Sequence, residues 1–270
     1  MGTGRVPAFH KFPVAVAWLL LLSLFLLAMR LRLAAQETNQ HEAVQSAQTA
    51  VPRSEPNDNR VPAGKVQNGT LTIHLEIREG QSFPEEDSGP SLKIPAFAEE
   101  GKLPQIPGPL IRVPQGTEVH ASLRNALGSG TAIVHGLYQR PSERAETVEV
   151  PAGEVREIRF KVDAPGTYYY WASTTGEALE VREGLDSQLS GALIVDPPNT
   201  PVNDRVFVIG KWASPHPVGD PLHRVVFVIN GKSWPYNERL THHVGEEVHW
   251  RWTIRPTDRI PCTCTAPTSV

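Results

Sequence analysis

The sequence predicts an all-β protein: a Greek-key β-sandwich, a second sandwich left incomplete, and a hydrophobic helix ahead of both. Three observations carry this. Apolar residues recur with period two, as in Leu71, Ile73, Leu75 and Ile77 or Val119, Ala121 and Leu123, which marks half-buried strands. Twenty-five prolines and twenty-one glycines interrupt the chain too often for long helices and suit short strands joined by turns. Seven or so strands fall within about 130 residues, a density of Greek-key sandwiches rather than βαβ folds.

At the N-terminus, Arg5, His10 and Lys11 precede an uncharged apolar run from Phe12 to Met29, followed by Arg30 and Arg32. Such a run fits a long signal-peptide core or a minimal membrane span. Leu33-Ala34-Ala35 offers a cleavage site, whereas the two arginines resist translocation, so residues 1–35 are a signal peptide or a membrane anchor. Either implies export, and the anchor makes the membrane a partner. Residues 36–66 are polar and lack hydrophobic periodicity, which predicts a flexible linker.

The first sandwich is expected over residues 67–198. Its first strand, from Thr70, turns His74 to the polar face. Pro84 to Pro109 is dense in proline and glycine and is expected to be mostly loop. Strands follow at Ile111 and Val113, at Val119 to Leu123 with His120 outward, and at Thr131 to Leu137. Val148 to Val150, Ile158 to Val162, the β-prone Thr167 to Trp171 and Gly191 to Val195 complete the unit. A partial second unit spans 203–254, with a core strand at Arg205 to Gly210 and a hairpin turning at Asn230-Gly231. About 60 residues are too few to close another sandwich. Residues 255–270 form an irregular tail.

Several motifs then carry a resemblance. Pro107-Gly108-Pro109-Leu110-Ile111-Arg112-Val113, Val134-His135-Gly136-Leu137, Gly166-Thr167-Tyr168-Tyr169-Tyr170 and Asp186 to Pro197 occur in that order, followed by Asn230-Gly231-Lys232-Ser233-Trp234-Pro235. Together they resemble the multicopper oxidase family, which includes laccases, over about residues 68–254, with a first cupredoxin domain and part of a second. The resemblance implies copper binding and oxidoreductase activity: substrate oxidation at one copper and reduction of dioxygen at a trinuclear cluster.

The ligands carry over unevenly. In the family's His-x-His-Gly motif the second histidine corresponds to His135, whereas the first corresponds to Ile133. The later His-x-His falls on Trp171-Ala172-Ser173. Copper needs imidazole or sulfur donors in a fixed cage, and one imidazole cannot hold it tightly. His135 is therefore the one candidate metal and cofactor-binding residue; the competing reading is a structural histidine near the domain interface. No catalytic residue is assigned. The family's C-terminal ligand motif, His-Pro-x-His-x-His-Gly, is absent, so copper occupancy is expected to be low and the chain alone is expected not to turn over. The missing ligands point to a homo-oligomer or a missing C-terminal domain as partner. A non-catalytic, membrane-tethered binding or scaffold module and an inactive truncated product are the alternatives.

The tail itself suggests a hypothesis. Back-translating Arg259 to Ala266 with synonymous codons and shifting one base gives His-Pro-Leu-His-Leu-His-Gly, so the tail is readable as a frameshift product. Coding DNA without those codons in the shifted frame removes the idea. At face value, Cys262 and Cys264 supply two thiolates where a closed metal clip needs about four ligands.

Other chemistry finds no footing. A net charge of −3 with mixed signs gives no nucleic-acid footprint. Gly-x-Ser-x-Gly, phosphate-binding glycine loops and His-Glu-x-x-His are absent. His242-His243 ahead of Val244-Gly245 fits a polar turn, and His216 and His223 flank proline-rich loop without ligand spacing.

Overall fold

Thirteen residues of unbroken strand, Thr70–Ser82, form the backbone of the first sheet, with Leu71, Ile73, Leu75 and Ile77 all buried on one face as their alternation requires. The architecture comes from a computed structural model, which describes residues 29–30, 32, 51–139, 146–176, 184–200, 202–214, 216 and 219–254. In chain order the strands are β1 (Glu55–Pro56), β2 (Lys65–Gln67), β3 (Thr70–Ser82), β4 (Leu92–Glu99), β5 (Gln105–Ile106), β6 (Ile111–Pro114), β7 (Glu118–Asn125) and β8 (Thr131–His135). They continue with β9 (Thr147–Pro151), β10 (Val155–Lys161), β11 (Gly166–Ser173), β12 (Ser190–Asp196), β13 (Asp204–Ala213), β14 (Val225–Ile229) and β15 (His249–Ile254). A short 3-10 turn occupies Leu185–Gln188.

Two sheets make the sandwich. One runs β1-β5-β4-β3-β7-β10 with β2 also paired to β3, and the other runs β6-β12-β11-β8-β9. Their inner faces share one core, in which Leu71, Ile73, Val119 and Leu123 of the first sheet meet Val134, Tyr170, Ala172 and Leu193 of the second. Tyr170 lies at its centre, edge-on to Phe97, and its hydroxyl donates to the Pro109 carbonyl at 2.6 Å. Burial pushes that phenol well above its ordinary pKa.

The region from Pro84 to Pro109 is mostly irregular, as expected, but β4 and β5 cross it and Pro95 pairs with Glu79. β4 shows no alternation because both of its faces are covered: Phe97 faces the main core, while Ile94 and Ala96 pack with Ile106 on the other side. One expectation needs correction, that of a linker up to residue 66. Residues 51–66 lie along the sandwich. The Ser54 N–H donates to Gln81 O and the Gln81 N–H to Pro52 O, β1 runs parallel to β5, the Ala63 N–H donates to Leu110 O, and β2 pairs with β3. Backbone hydrogen bonds and buried asparagines hold this segment, so it carries no apolar stripe to reveal it. Residues 36–50, the apolar run from Phe12 to residue 28 and the tail 255–270 lie outside the described residues. Among the described residues no helix is long and apolar enough to cross a membrane.

The second unit contributes a three-stranded sheet, β14-β13-β15, within the same compact body that begins at Val51. It packs Val206 and Val208 of β13 onto Leu110, Ala192 and Ile194 of the first sandwich. Each such residue fully buried contributes about 1.5–3 kcal/mol. β12 is thus covered on both faces, Leu193 and Val195 inward and Ala192 and Ile194 outward, and every one of its residues is buried. The Asn230-Gly231 turn forms as its residues predict, with both at positive φ and Ile229 bridging Lys232. Its tip seats against the first domain. Asn230 Oδ1 accepts from Asn59 Nδ2 at 3.0 Å and from the Val208 N–H at 2.9 Å, and its Nδ2 donates to Val206 O at 3.1 Å. A Cβ on Gly231 would fall 2.2 Å from the Ile106 carbonyl oxygen.

Candidate functional site

The four positions that the resemblance assigns to copper ligands come together on the outer face of the five-stranded sheet. β8 and β11 are antiparallel neighbours, with His135 opposite Trp171 and Ile133 opposite Ser173. Side chains two residues apart share a face, so the four form a rectangle, while Ala132, Val134, Tyr170 and Ala172 between them point into the core. Opposed residues on such a pair place their Cβ atoms about 4.5–5.5 Å apart, close enough to act on one guest. Strand pairing thus brings together the positions that likeness to the family singles out. The chemistry at those positions is another matter.

His135 lies flat on Trp171, with ring centroids 3.8 Å apart and 3° between the planes. Ile133 offers no lone pair. Ser173 is buried, and its hydroxyl donates to Asp186 Oδ2 at 3.0 Å. Asp186 is itself only 2% exposed and gathers further donors: the Thr174 N–H and hydroxyl at 2.6 Å each, and the Thr175 N–H and hydroxyl at 3.2 Å each. Ser173 Oγ in turn accepts from the Gly176 N–H at 2.9 Å. These bonds close the end of β11 into a polar knot. The Ser-Thr-Thr-Gly run announces a turn rich in hydroxyls, but sequence reasoning gave Asp186 no role, because nothing local says which carboxylate will fill it.

This donor set does not fit a copper cluster. One imidazole, one indole, one aliphatic chain and a hydroxyl committed to a carboxylate supply a single soft nitrogen donor. Among the described residues no three His, Cys, Asp or Glu side chains gather as a cage. His135 alone could contact a metal here, and only with ligands from elsewhere. The remaining histidines stand apart. His74 faces outward, and His120 Nε2 meets Glu118 at 2.8 Å. His242 and the His243 N–H share Glu246 at 3.3 and 2.9 Å in the expected polar turn, where those contacts hold the carboxyl below its usual range. His223 Nδ1 donates to the His216 carbonyl at 2.7 Å. Cys262 and Cys264 lie outside the described residues.

The opposite end of the same face holds a feature that sequence reasoning missed. Arg112 of β6 donates to both oxygens of Asp196 (2.7 and 2.9 Å) and both of Asp204 (2.5 and 3.1 Å). Arg251 of β15 reaches Asp204 at 2.5 Å, Asp196 at 3.4 Å and the Thr167 hydroxyl at 3.2 Å. Two cations and two anions therefore cancel across the seam between the sandwich and the second sheet. The Arg112 and Asp204 side chains are each 7% exposed. Burial pushes the Asp204 carboxyl up, but hydrogen bonds from Arg112 and Arg251 outweigh it and hold the group below its ordinary value. Arg112 is correspondingly held above its own, against the opposing effect of burial.

Comparison with known proteins agrees with the geometry of the fold. Residues 104–200 match the multicopper oxidase family model. The chain is 32% identical over 149 residues to a probable nitrite reductase-hydroxylamine oxidoreductase fusion protein of Kuenenia stuttgartiensis, covering 51% of this chain and 17% of that protein. It is 33% identical over 102 residues to L-ascorbate oxidase of Cucurbita pepo var. melopepo (35% and 17%) and 32% identical over 122 residues to Laccase-20 of Oryza sativa subsp. indica (40% and 20%). Among solved structures, the multicopper oxidase mgLAC superposes with a TM-score of 0.52 at 25% identity, over 68% of this chain and 60% of that one. The blue copper oxidase from Nitrosomonas europaea has the same fold, with a TM-score of 0.50 at 23% identity and the same coverage. The chain spans a fifth or less of the length of these curated relatives. The sandwich is therefore cupredoxin-like, and residues 104–200 are similar to a domain of the laccase-like multicopper oxidases.

Proposed function

We propose that this chain is an exported multicopper-oxidase-type module whose first domain serves as a scaffold rather than as a complete copper centre. One observation carries the reading: the rectangle that family members fill with imidazoles holds Ile133, His135, Trp171 and Ser173, and the last of these is tied into the Asp186 knot. Copper-dependent oxidation of a substrate requires ligands that the described residues do not bring together. They would come from a second copy of the chain or from a further C-terminal domain, with His135 as this domain's contribution. The docking seam at Arg112 and Asp204 supports the scaffold role, since it fixes the second sheet against the face beside the ligand positions. The N-terminal apolar run supports export, by cleavage or as a membrane anchor.

Metal analysis of the purified full-length chain after copper loading and dialysis tests the proposal, together with oxygen uptake on a phenolic substrate. The expected result is well under one copper per chain and no uptake. Three or four tightly held coppers per chain, lost in His135→Ala, would overturn it. Retention of copper only in an oligomer, as judged by light scattering, favours the shared-ligand version over the bare scaffold.

A further inference from the structure

The second sheet packs on the core of the sandwich through one face, and its other face borders the segment around Pro56 and Asp58. Val206 and Val208 of β13 meet the first sandwich, whereas Phe207 projects to the other side, where its cross-strand neighbour is Trp252 of β15. There Trp252 lies over the Phe207 ring, with centroids 4.6 Å apart and 31° between the planes, and leaves Phe207 5% exposed. Trp250 stands nearly perpendicular to both, at 89° and 6.0 Å from Phe207 and at 81° and 5.8 Å from Trp252. A cavity of about 340 Å³ opens over these rings, with Pro56, Ile229 and Tyr236 among its other walls. That volume is at the low end of sites for small organic ligands, which run about 300–1,000 Å³ and are mostly apolar with a few polar groups.

The charges around the mouth argue for the kind of guest. Glu238 is shared by Arg60 and Arg205. Asp58 meets Arg60 at 3.1 Å. Lys232 Nζ donates to the Phe83 and Glu85 carbonyls at 3.0 and 2.7 Å. The Arg205 guanidinium lies 5.7 Å over the Phe207 ring. Each charge therefore has a partner, and an ionic ligand would have to displace one. A flat, uncharged ring can lie along Trp252 with its edge toward the Trp250 face, the offset and edge-to-face contacts that aromatic quadrupoles favour.

We propose that this cavity binds a small, neutral, planar aromatic molecule. The site lies on the side of β13 away from the docking face, so it is independent of any copper at His135.

The full-length chain titrated with N-phenyl-1-naphthylamine, a neutral probe, tests this by energy transfer from tryptophan. Saturable binding at one probe per chain is expected, with 8-anilino-1-naphthalenesulfonate, the same skeleton bearing an anion, at least tenfold weaker. Trp252→Leu should weaken probe binding tenfold or more, while Trp234→Ala, at an exposed tryptophan outside the cavity, should leave it unchanged. Should Trp252→Leu fail to fold, Tyr236→Ser at the wall provides a milder variant, expected to weaken binding about threefold. Non-saturating uptake, equal affinity for the sulfonate, or indifference to the Trp252→Leu and Tyr236→Ser changes would each overturn the proposal.

Discussion

The outer face of the five-stranded sheet has two ends that share strands and differ in what they keep. At one end, β6 and β12 present Arg112 and Asp196 to Asp204 and Arg251, and every charge meets an opposite one across the seam. At the other, β8 and β11 present a rectangle in which one imidazole lies on an indole and a hydroxyl is bound into a loop. The first end is a finished joint. The second has the geometry of a metal platform without its donors. The backbone frame of such a face and the donors on it depend on different residues.

Breaking the joint should have the largest effect. Arg112→Ala leaves Asp196 and Asp204 buried with only Arg251 between them, and removal of one member of a buried ion cluster costs about 3–5 kcal/mol. Urea unfolding should show that loss; a change under about 1 kcal/mol would mean that the seam is solvated and the cluster ornamental. Next comes the hairpin tip that seats the same sheet. Gly231→Ala forces a Cβ at a φ of +84° and against the Ile106 carbonyl, for about 1–3 kcal/mol from the backbone alone. Equal stability of that variant would show that the tip can lift without consequence.

The platform should respond less. His135→Ala removes a stacked pair worth about 0.5–1.5 kcal/mol and should leave the urea slope unchanged. A loss as large as that of Arg112→Ala would erase the contrast between the two ends. The smallest effect depends on pH. The folded Asp204 carboxyl is held below its ordinary value, so its contribution is complete above the unfolded carboxylate value of about 3.9 and disappears as pH falls through the lower folded value. Wild-type urea midpoints should therefore fall more steeply in that acid window than those of Asp204→Asn. Parallel curves would sever the link between Asp204 ionisation and the joint.

What could be read in advance follows from what each element rests on. β3, β7 and β10 bury one face, so their alternation is visible, and Asn230-Gly231 announces its own turn. β4 buries both faces and hides. The segment at residues 51–66 is held by main-chain bonds, as where the Asn57 N–H donates to Ile106 O, and these leave no pattern in side chains. At the candidate site, His135 and the three substituted positions were legible by likeness to the family. The partners of Arg112 were not, since Asp196 and Asp204 lie 84 and 92 residues away and only the folded sheets unite them.

Gly136 follows His135 with a φ of +80°, and a Cβ there would sit 2.4 Å from the Tyr169 carbonyl oxygen and 2.9 Å from Tyr170 Cα. That glycine lets β8 close on β11 whatever side chains the two strands carry. For protein engineering, the difficult part of a metal platform is already present in this chain: two strands at contact distance with their registers locked. Refitting it is a problem of side chains alone, with the Asp186 knot as the obstacle to be untied.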